Sequence, residues 1–171
     1  TARRSEMSSR ATIAVVVPAV ADGGGVPAVA RFICNVAASS GLYDVKIVSL
    51  SMSSRDPASL MLTRPGTWLR GVEARPETWE GRDVVHVGAV AGEVEFQHYR
   101  RRRALTKELA NCDVIQVVCG TPAWANAVVG LGRPVALHVA TRARLERRMR
   151  NAVPSGLVGL WRRAMTEVTD R

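Results

Sequence analysis

Runs rich in β-branched residues alternate along the chain with stretches whose apolar positions recur every three or four residues. The first run, 12–17, carries Ile13, Val15, Val16 and Val17 without polar alternation, which suits a central strand buried on both faces. Residues 26–40 follow with Val29, Phe32, Ile33, Val36 and Ala37 at helical spacing, a stripe expected to face the core. Gly41 breaks that pattern, and 44–50 reads as a second strand, Val45-Lys46-Ile47-Val48-Ser49-Leu50. Strand, glycine turn, helix and strand in this order make a βαβ unit with a right-handed parallel crossover. The expected fold class is therefore α/β: a Rossmann-like, doubly wound, mostly parallel sheet with helices on both faces.

Past that unit, 51–66 is rich in Ser, Pro and Arg without periodicity and reads as a long loop, a common place for binding segments. Short strands are expected at 72–75 and 84–87, then a glycine-bearing loop at 88–95. One helix is expected over 95–110, with Phe96, Tyr99, Leu105 and Leu109 turned inward and His98 at the surface. Within it Arg100, Arg101, Arg102 and Arg103 cover a whole turn at about 100° per residue, so at least one must run along the core or reach a cleft. A solvated charged face is the competing reading.

Residues 113–119 read as a buried strand, and Thr121-Pro122 as the N-cap and first turn of a helix carrying Trp124, Val128 and Leu131. A further strand is expected at 134–139. An arginine-rich segment, 142–150, leads through Pro154 and Gly156 to an amphipathic helix with Leu157, Leu160, Trp161, Met165 and Val168 on one face. Residues 1–10 read as a polar leader, leaving 11–171 as one domain. A doubly wound sheet is not expected to stop on a helix with no strand after it, so the chain reads as a fragment.

Composition narrows the class. Of 171 residues, 47% are hydrophobic and well mixed with polar ones, as in a globular protein with a real core. No stretch approaches the ~20 apolar residues of a membrane span, and no signal core follows the N-terminus, so a cytoplasmic protein is expected. Cys34, Cys112 and Cys119 show no Cys-x-x-Cys spacing and read as buried reduced thiols, with neither a disulfide framework nor a zinc site. There are 24 Lys plus Arg against 15 Asp plus Glu, a net charge of +9, which leaves nucleic acid, anionic lipid and phosphorylated substrates as possible partners.

Candidate chemistry centres on Asp22-Gly23-Gly24-Gly25-Val26-Pro27-Ala28, between the first strand and the first helix. Glycines allow close backbone approach, and the free N–H groups and positive dipole end of a helix favour an anion there. A plain flexible loop is the competing reading. Gly23-x-Gly25-x-x-Ala28 formally fits the dinucleotide fingerprint, but Pro18 to Asp22 is too long for its tight turn. The second strand also ends without an acid for a ribose. No P-loop and no Gly-x-Ser-x-Gly elbow occurs. His86 and His138 fall near strand ends, where an imidazole can reach a cleft or serve as a hydrogen-bonded core residue. Gly120 and Thr121 mark another glycine-bearing loop at a strand's carboxyl end.

The order of these motifs resembles the N-terminal domain of GT-B fold glycosyltransferases of the retaining, family-4-like group. The residues that carry the resemblance are Ile13-Ala14-Val15-Val16-Val17-Pro18, Gly23-Gly24-Gly25-Val26, Tyr43-Asp44-Val45-Lys46-Ile47-Val48, Cys112-Asp113-Val114-Ile115-Gln116 and Gly132-Arg133-Pro134-Val135-Ala136-Leu137-His138. The resemblance implies transfer of a sugar, with retention, from a nucleotide-sugar donor to an unidentified acceptor, with no bound cofactor and no metal. It implies a donor-diphosphate role for Gly23, Gly24 and Gly25, and His138 as the catalytic candidate one step deeper than the family's strand-end position, here Ala140; Gly120 and Thr121, in the loop at a strand's carboxyl end, are candidate substrate contacts by their place in the sheet. It also implies a C-terminal donor-binding domain outside 1–171, so that this piece alone is expected to turn over little. A peripheral contact of the arginines with an anionic membrane is compatible with it, and nucleic acid is not expected. The alternative from another class is a non-catalytic basic α/β domain that binds nucleic acid or anionic lipid.

Overall fold

The computed structural model describes residues 10–20, 24–53 and 55–140. The leader up to residue 9, Gly23, the arginine-rich segment 142–150 and the amphipathic stretch 157–168 lie outside the described residues. The strands are β1 (Ala11–Pro18), β2 (Tyr43–Leu50), β3 (Ala74–Trp79), β4 (Arg82–Val87), β5 (Val114–Cys119) and β6 (Val135–Val139). They form one sheet in the order β3-β4-β2-β1-β5-β6, parallel throughout except for the β3–β4 hairpin. The helices are α1 (Gly25–Ser39), α2 (Gly66–Arg70) and α3 (Arg103–Leu109), with 3-10 turns at Glu95–Tyr99 and Pro122–Ala127. The α/β class and the mostly parallel sheet agree with the sequence pattern.

β1 lies in the middle because its side chains are apolar on both faces. Ala14 and Val16 join a core under α3 and the 3-10 turns, with Leu105, Leu109, Trp124 and Val128. Val15 and Val17 join a second core under α1, with Ala30, Cys34, Ile47, Trp79 and Val84. Cross-links fix the layers: Lys46 Nζ on β2 reaches the Glu108 carboxylate at 2.9 Å, and Asp113 Oδ2 accepts from the Thr12 N–H at 2.7 Å.

The expected core stripe of α1 is corrected in part. Its buried residues are Pro27, Ala30, Cys34 and Ala37, whereas Phe32 and Val36 are exposed. Small residues bring the helix close to the sheet, and positions 32 and 36 then point away from it. One flank of α1 is tied to the β3–β4 hairpin, where Arg31 pairs with Glu80 and Arg82 bonds Asn35. That hairpin turns on Glu80 and Gly81, both at positive φ, as a two-residue turn requires. Pro76 is tolerated because β3 is an edge strand.

The helix expected over 95–110 is broken. Arg100 and Arg102 are extended between the 3-10 turn and α3, and Arg102 is only 4% exposed. One arginine of the run does turn inward, and it breaks the helix in doing so. The helix after Thr121-Pro122 is likewise a single short 3-10 turn, with Thr121 at its N-cap. All cysteines are free and buried; burial pushes the Cys119 thiol up to about 11, which leaves it unreactive.

Candidate functional site

In the strand order, the chain moves from β1 to β2 on one side and later returns to β5 on the other, so the switch lies between β1 and β5. Ligands of open α/β sheets bind at such a point, beyond the carboxyl ends of the strands. Two loops meet there. Gly24 caps α1 with φ +99°, a conformation that suits glycine, and no side chain caps the helix. A Cβ added at Gly24, Gly25 or Gly120 would meet nothing within 4 Å, so the space in front of all three is open. The Gly25 N–H belongs to the first turn, where amides have no partner within the helix. Thr121 is buried, and its Oγ1 accepts from the Ala123 N–H at 3.5 Å, so this side chain shapes the loop after β5.

The two histidines near strand ends share one row across the sheet. Ser49 on β2 stands opposite Val17 of β1 and His86 of β4. On the other side β5 carries Val118, opposite His138 of β6. Val17, Val118 and Val84 all belong to the core under α1, so Ser49, His86 and His138 project from that same face. Each histidine stands two strand spacings from β1, about 10 Å, on opposite sides. They cannot serve one reacting atom together. His138 lies exposed on the edge strand, away from the β1 end where the glycines sit.

His86 is engaged instead in a buried polar network. Its Nε2 lies 3.1 Å from Asp56 Oδ2 and its Nδ1 3.3 Å from Ser49 Oγ. Asp56 also accepts from the Ala58 N–H at 3.0 Å and the Ser59 hydroxyl at 2.8 Å. Burial alone would raise the Asp56 carboxyl, but hydrogen bonds from His86, Ser51, Ala58 and Ser59 outweigh it and hold the group well below the usual carboxylate range. The Asp56 contact raises His86 above its ordinary value, against the opposing effect of burial. The inner side of the 51–66 segment is packed, with Ser51, Asp56, Ala58, Ser59 and Met61 buried, whereas 62–66 are exposed.

A second clamp lies on the other side of the same loops. His98, expected at the surface, is buried with Nδ1 2.9 Å from Ser51 O and Nε2 2.9 Å from Gly92 O. Arg102 donates to Gly88 O at 2.5 Å and His98 O at 2.8 Å, while its buried Nε has no partner among the described residues. Burial lowers the guanidinium to about 10, so it stays charged at neutral pH. The sequence left an inward arginine of the run and a solvated charged face as alternatives, and Arg102 takes the first; nothing in the local pattern identified Asp56 or His98.

Of these groups only His98 borders a cleft of about 470 Å³, which it lines with Met52, Gly92, Glu93, Glu95, Tyr99 and Trp124. Tyr99 and Trp124 meet edge to face at 5.1 Å. Glu93 accepts from the Leu62 and Thr63 N–H groups and the Thr63 hydroxyl, bonds that hold its carboxyl down to about 2. Trp124 is only 2% exposed and belongs to the core, so the cleft's chemistry is set by the Glu93 and Glu95 carboxylates, which disfavour an anion there. Among the described residues no cluster of His, Cys, Asp and Glu could hold a metal, and no helix is long and apolar enough to cross a membrane.

Several surface arginines are already paired within the chain. Arg70 and Arg75 pair with Glu73, Arg133 donates to Ala110 O, and Arg101 donates to Val129 O. No protein-family model matches the chain, and no curated protein or solved structure matches it significantly.

Proposed function

We propose that this chain is the doubly wound, acceptor-side domain of a retaining glycosyltransferase that takes its sugar from a nucleotide-sugar donor. The observation that carries the reading is the pair of glycine-bearing loops, Gly24–Gly25 and Gly120–Thr121, at the carboxyl ends of adjacent strands where the strand order switches. Backbone N–H groups at the α1 N-terminus are suited to a diphosphate leaving group, whose growing charge they would stabilise during transfer. The cleft beside Glu93 and Glu95 is suited to the hydroxylated acceptor. His138 stays the catalytic candidate of this reading, through a substrate that spans from the switch point to the edge strand. No cofactor, metal or nucleic acid enters the mechanism, and the setting is cytoplasmic.

The main donor contacts belong in this reading to a further domain outside residues 1–171, so the chain alone binds a nucleoside diphosphate weakly, at about 1 mM. Titration of the chain with UDP and GDP, followed by amide shifts, is expected to move Gly24, Gly25 and Gly120. Gly24→Val is a poor test because its positive φ strains any side chain. Gly25→Val is the better one: position 25 is helical and faces open space, so the fold is kept while the anion is displaced. Its expected result is loss of at least about tenfold in affinity, roughly 1.4 kcal/mol. Unmoved glycine amides, or unchanged binding in Gly25→Val, would remove the basis for the reading.

A further inference from the structure

Among the described residues the two halves of the sheet's α1 face are covered unequally. α1 packs on β1 and on both neighbours of β1, β2 and β5. Its Arg31 and Asn35 flank is tied to the β3–β4 hairpin. Val29, Ile33 and Val36, at i, i+4 and i+7, form the opposite flank, which looks toward β5 and β6. Val29 and Ile33 are partly buried against the core, and Val36 is 51% exposed. Beyond them the sheet is bare. Ala136 and His138 of β6 project from this face and are exposed, while Val114 and Gln116 of β5 are half-buried. An apolar helix wall and an uncharged strand floor therefore meet in a groove along β6. Packed helices lie about 8–10 Å apart and strands about 4.8 Å, so a helix laid against this flank of α1 sits two strands from β1, over β6.

We propose that this groove is the seat of the chain's own segment 157–168, docked as a helix beside α1. That segment lies outside the described residues. In the sequence its Leu157, Leu160, Trp161, Met165 and Val168 make one apolar stripe at helical spacing, which needs an apolar surface to cover it. At about 1.5 Å per residue it is about 18 Å long, against about 17 Å for β6. The chain also leaves the sheet at the right place. Ala140, whose N–H donates to Cys119 O at 2.8 Å, stands at the carboxyl end of β6 and so at one end of the groove. The link 141–156 reaches up to about 50 Å when extended, enough to bring residue 157 to either end. A tethered segment acts at an effective concentration on the order of 1 mM, which a second copy pairing through the open β6 edge must exceed. The proposal does not rest on sugar transfer, although a helix seated there would cover the His138 imidazole.

Hydrogen–deuterium exchange of the 171-residue chain, read by mass spectrometry, tests this. Amides of 157–168 are expected to exchange at least about tenfold slower than in an unstructured peptide of the same sequence, at every protein concentration. Val36→Glu on the wall and Ala136→Glu on the floor each put a carboxylate under the docked apolar stripe, so each is expected to abolish that protection. Both positions are exposed among the described residues, so amides of β1 and β2 should keep their wild-type protection and report an intact fold. Ala38→Glu, exposed on the hairpin flank with Arg31 and Asn35, should leave 157–168 protected. Wild-type exchange of 157–168 at the unstructured rate would overturn the proposal. So would protection that survives either groove variant, which would place the segment elsewhere, or protection lost in Ala38→Glu, which would make the effect nonspecific. Protection that fades on dilution would assign the groove to a second copy of the chain and overturn it as well.

Discussion

Gly88→Ala is expected to leave little or no folded protein. A Cβ built at this position lies 2.0 Å from the Ala58 carbonyl oxygen and 2.6 Å from the Ser59 nitrogen. Both are backbone atoms of a buried segment, so no rotamer can relieve the clash. The position is pinned from every side: the Gly88 N–H donates to Glu73 O, Arg102 donates to Gly88 O, and the Glu73 N–H reaches back to Ala58 O. Moving the backbone far enough for a methyl group would break contacts to Ala58, Glu73 and Arg102 together. The cost is set at more than about 4 kcal/mol, a large part of the roughly 5–15 kcal/mol that holds a domain folded. Expression yield and a circular dichroism melt measure it. A cooperative melt within a few degrees of wild type would show that the loop does not pack on Gly88 as described.

Asp56→Ala is the second large effect, about 3 kcal/mol in urea unfolding at pH 6, because it strands His86, the Ala58 N–H and the Ser59 hydroxyl in a buried site. The same pair gives wild-type stability a pH profile whose sign follows from the shifts. His86 is raised above 6.5, so its contribution is complete below that pH and is lost as pH rises through the folded value. Asp56 is lowered from 3.8, so its contribution is complete above that pH and is lost as the solution becomes more acidic. Stability from this network is therefore greatest between the two, and urea midpoints should fall on going from pH 6 to pH 9. Asp56→Ala should remove most of that alkaline decline; a variant that keeps the wild-type slope would show that another group produces it.

Most of the sheet was legible in the sequence because β1, β2, β4 and β5 contain short apolar runs rich in β-branched residues, whereas β3, Ala74–Trp79, is mostly polar and was expected only at 72–75. Val15, Val16 and Val17 identify the central strand almost unaided, and Gly41 marks the end of α1. The failures share a cause. Phe32 and Val36 have helical spacing with the core residues, but which arc of α1 lies down was decided by the small side chains of Ala30, Cys34 and Ala37. Residues 95–110 have the composition of a helix, yet Arg102 gains two carbonyl partners only by leaving helical geometry, a tertiary effect invisible to local pattern. At the site, the glycines and Thr121 could be read as strand-end features from turn chemistry. Asp56 and His98 could not, because their partners, His86, Ser51 and Gly92, lie elsewhere in the chain and no spacing rule joins them.

The place of β1 in the sheet has a consequence for how the chain comes to be folded. Its pairing with β2 is available early in synthesis, whereas Thr12 and Asp113, which join the bases of β1 and β5, are 101 residues apart. Until β5 emerges, the innermost strand has one naked edge and one uncovered apolar face, the arrangement most prone to strand exchange between neighbouring chains. Long loop closure before the core can be sealed makes for slow acquisition of the native state. Refolding at low protein concentration should therefore return more monomer than refolding at high concentration, even where the finished fold is stable.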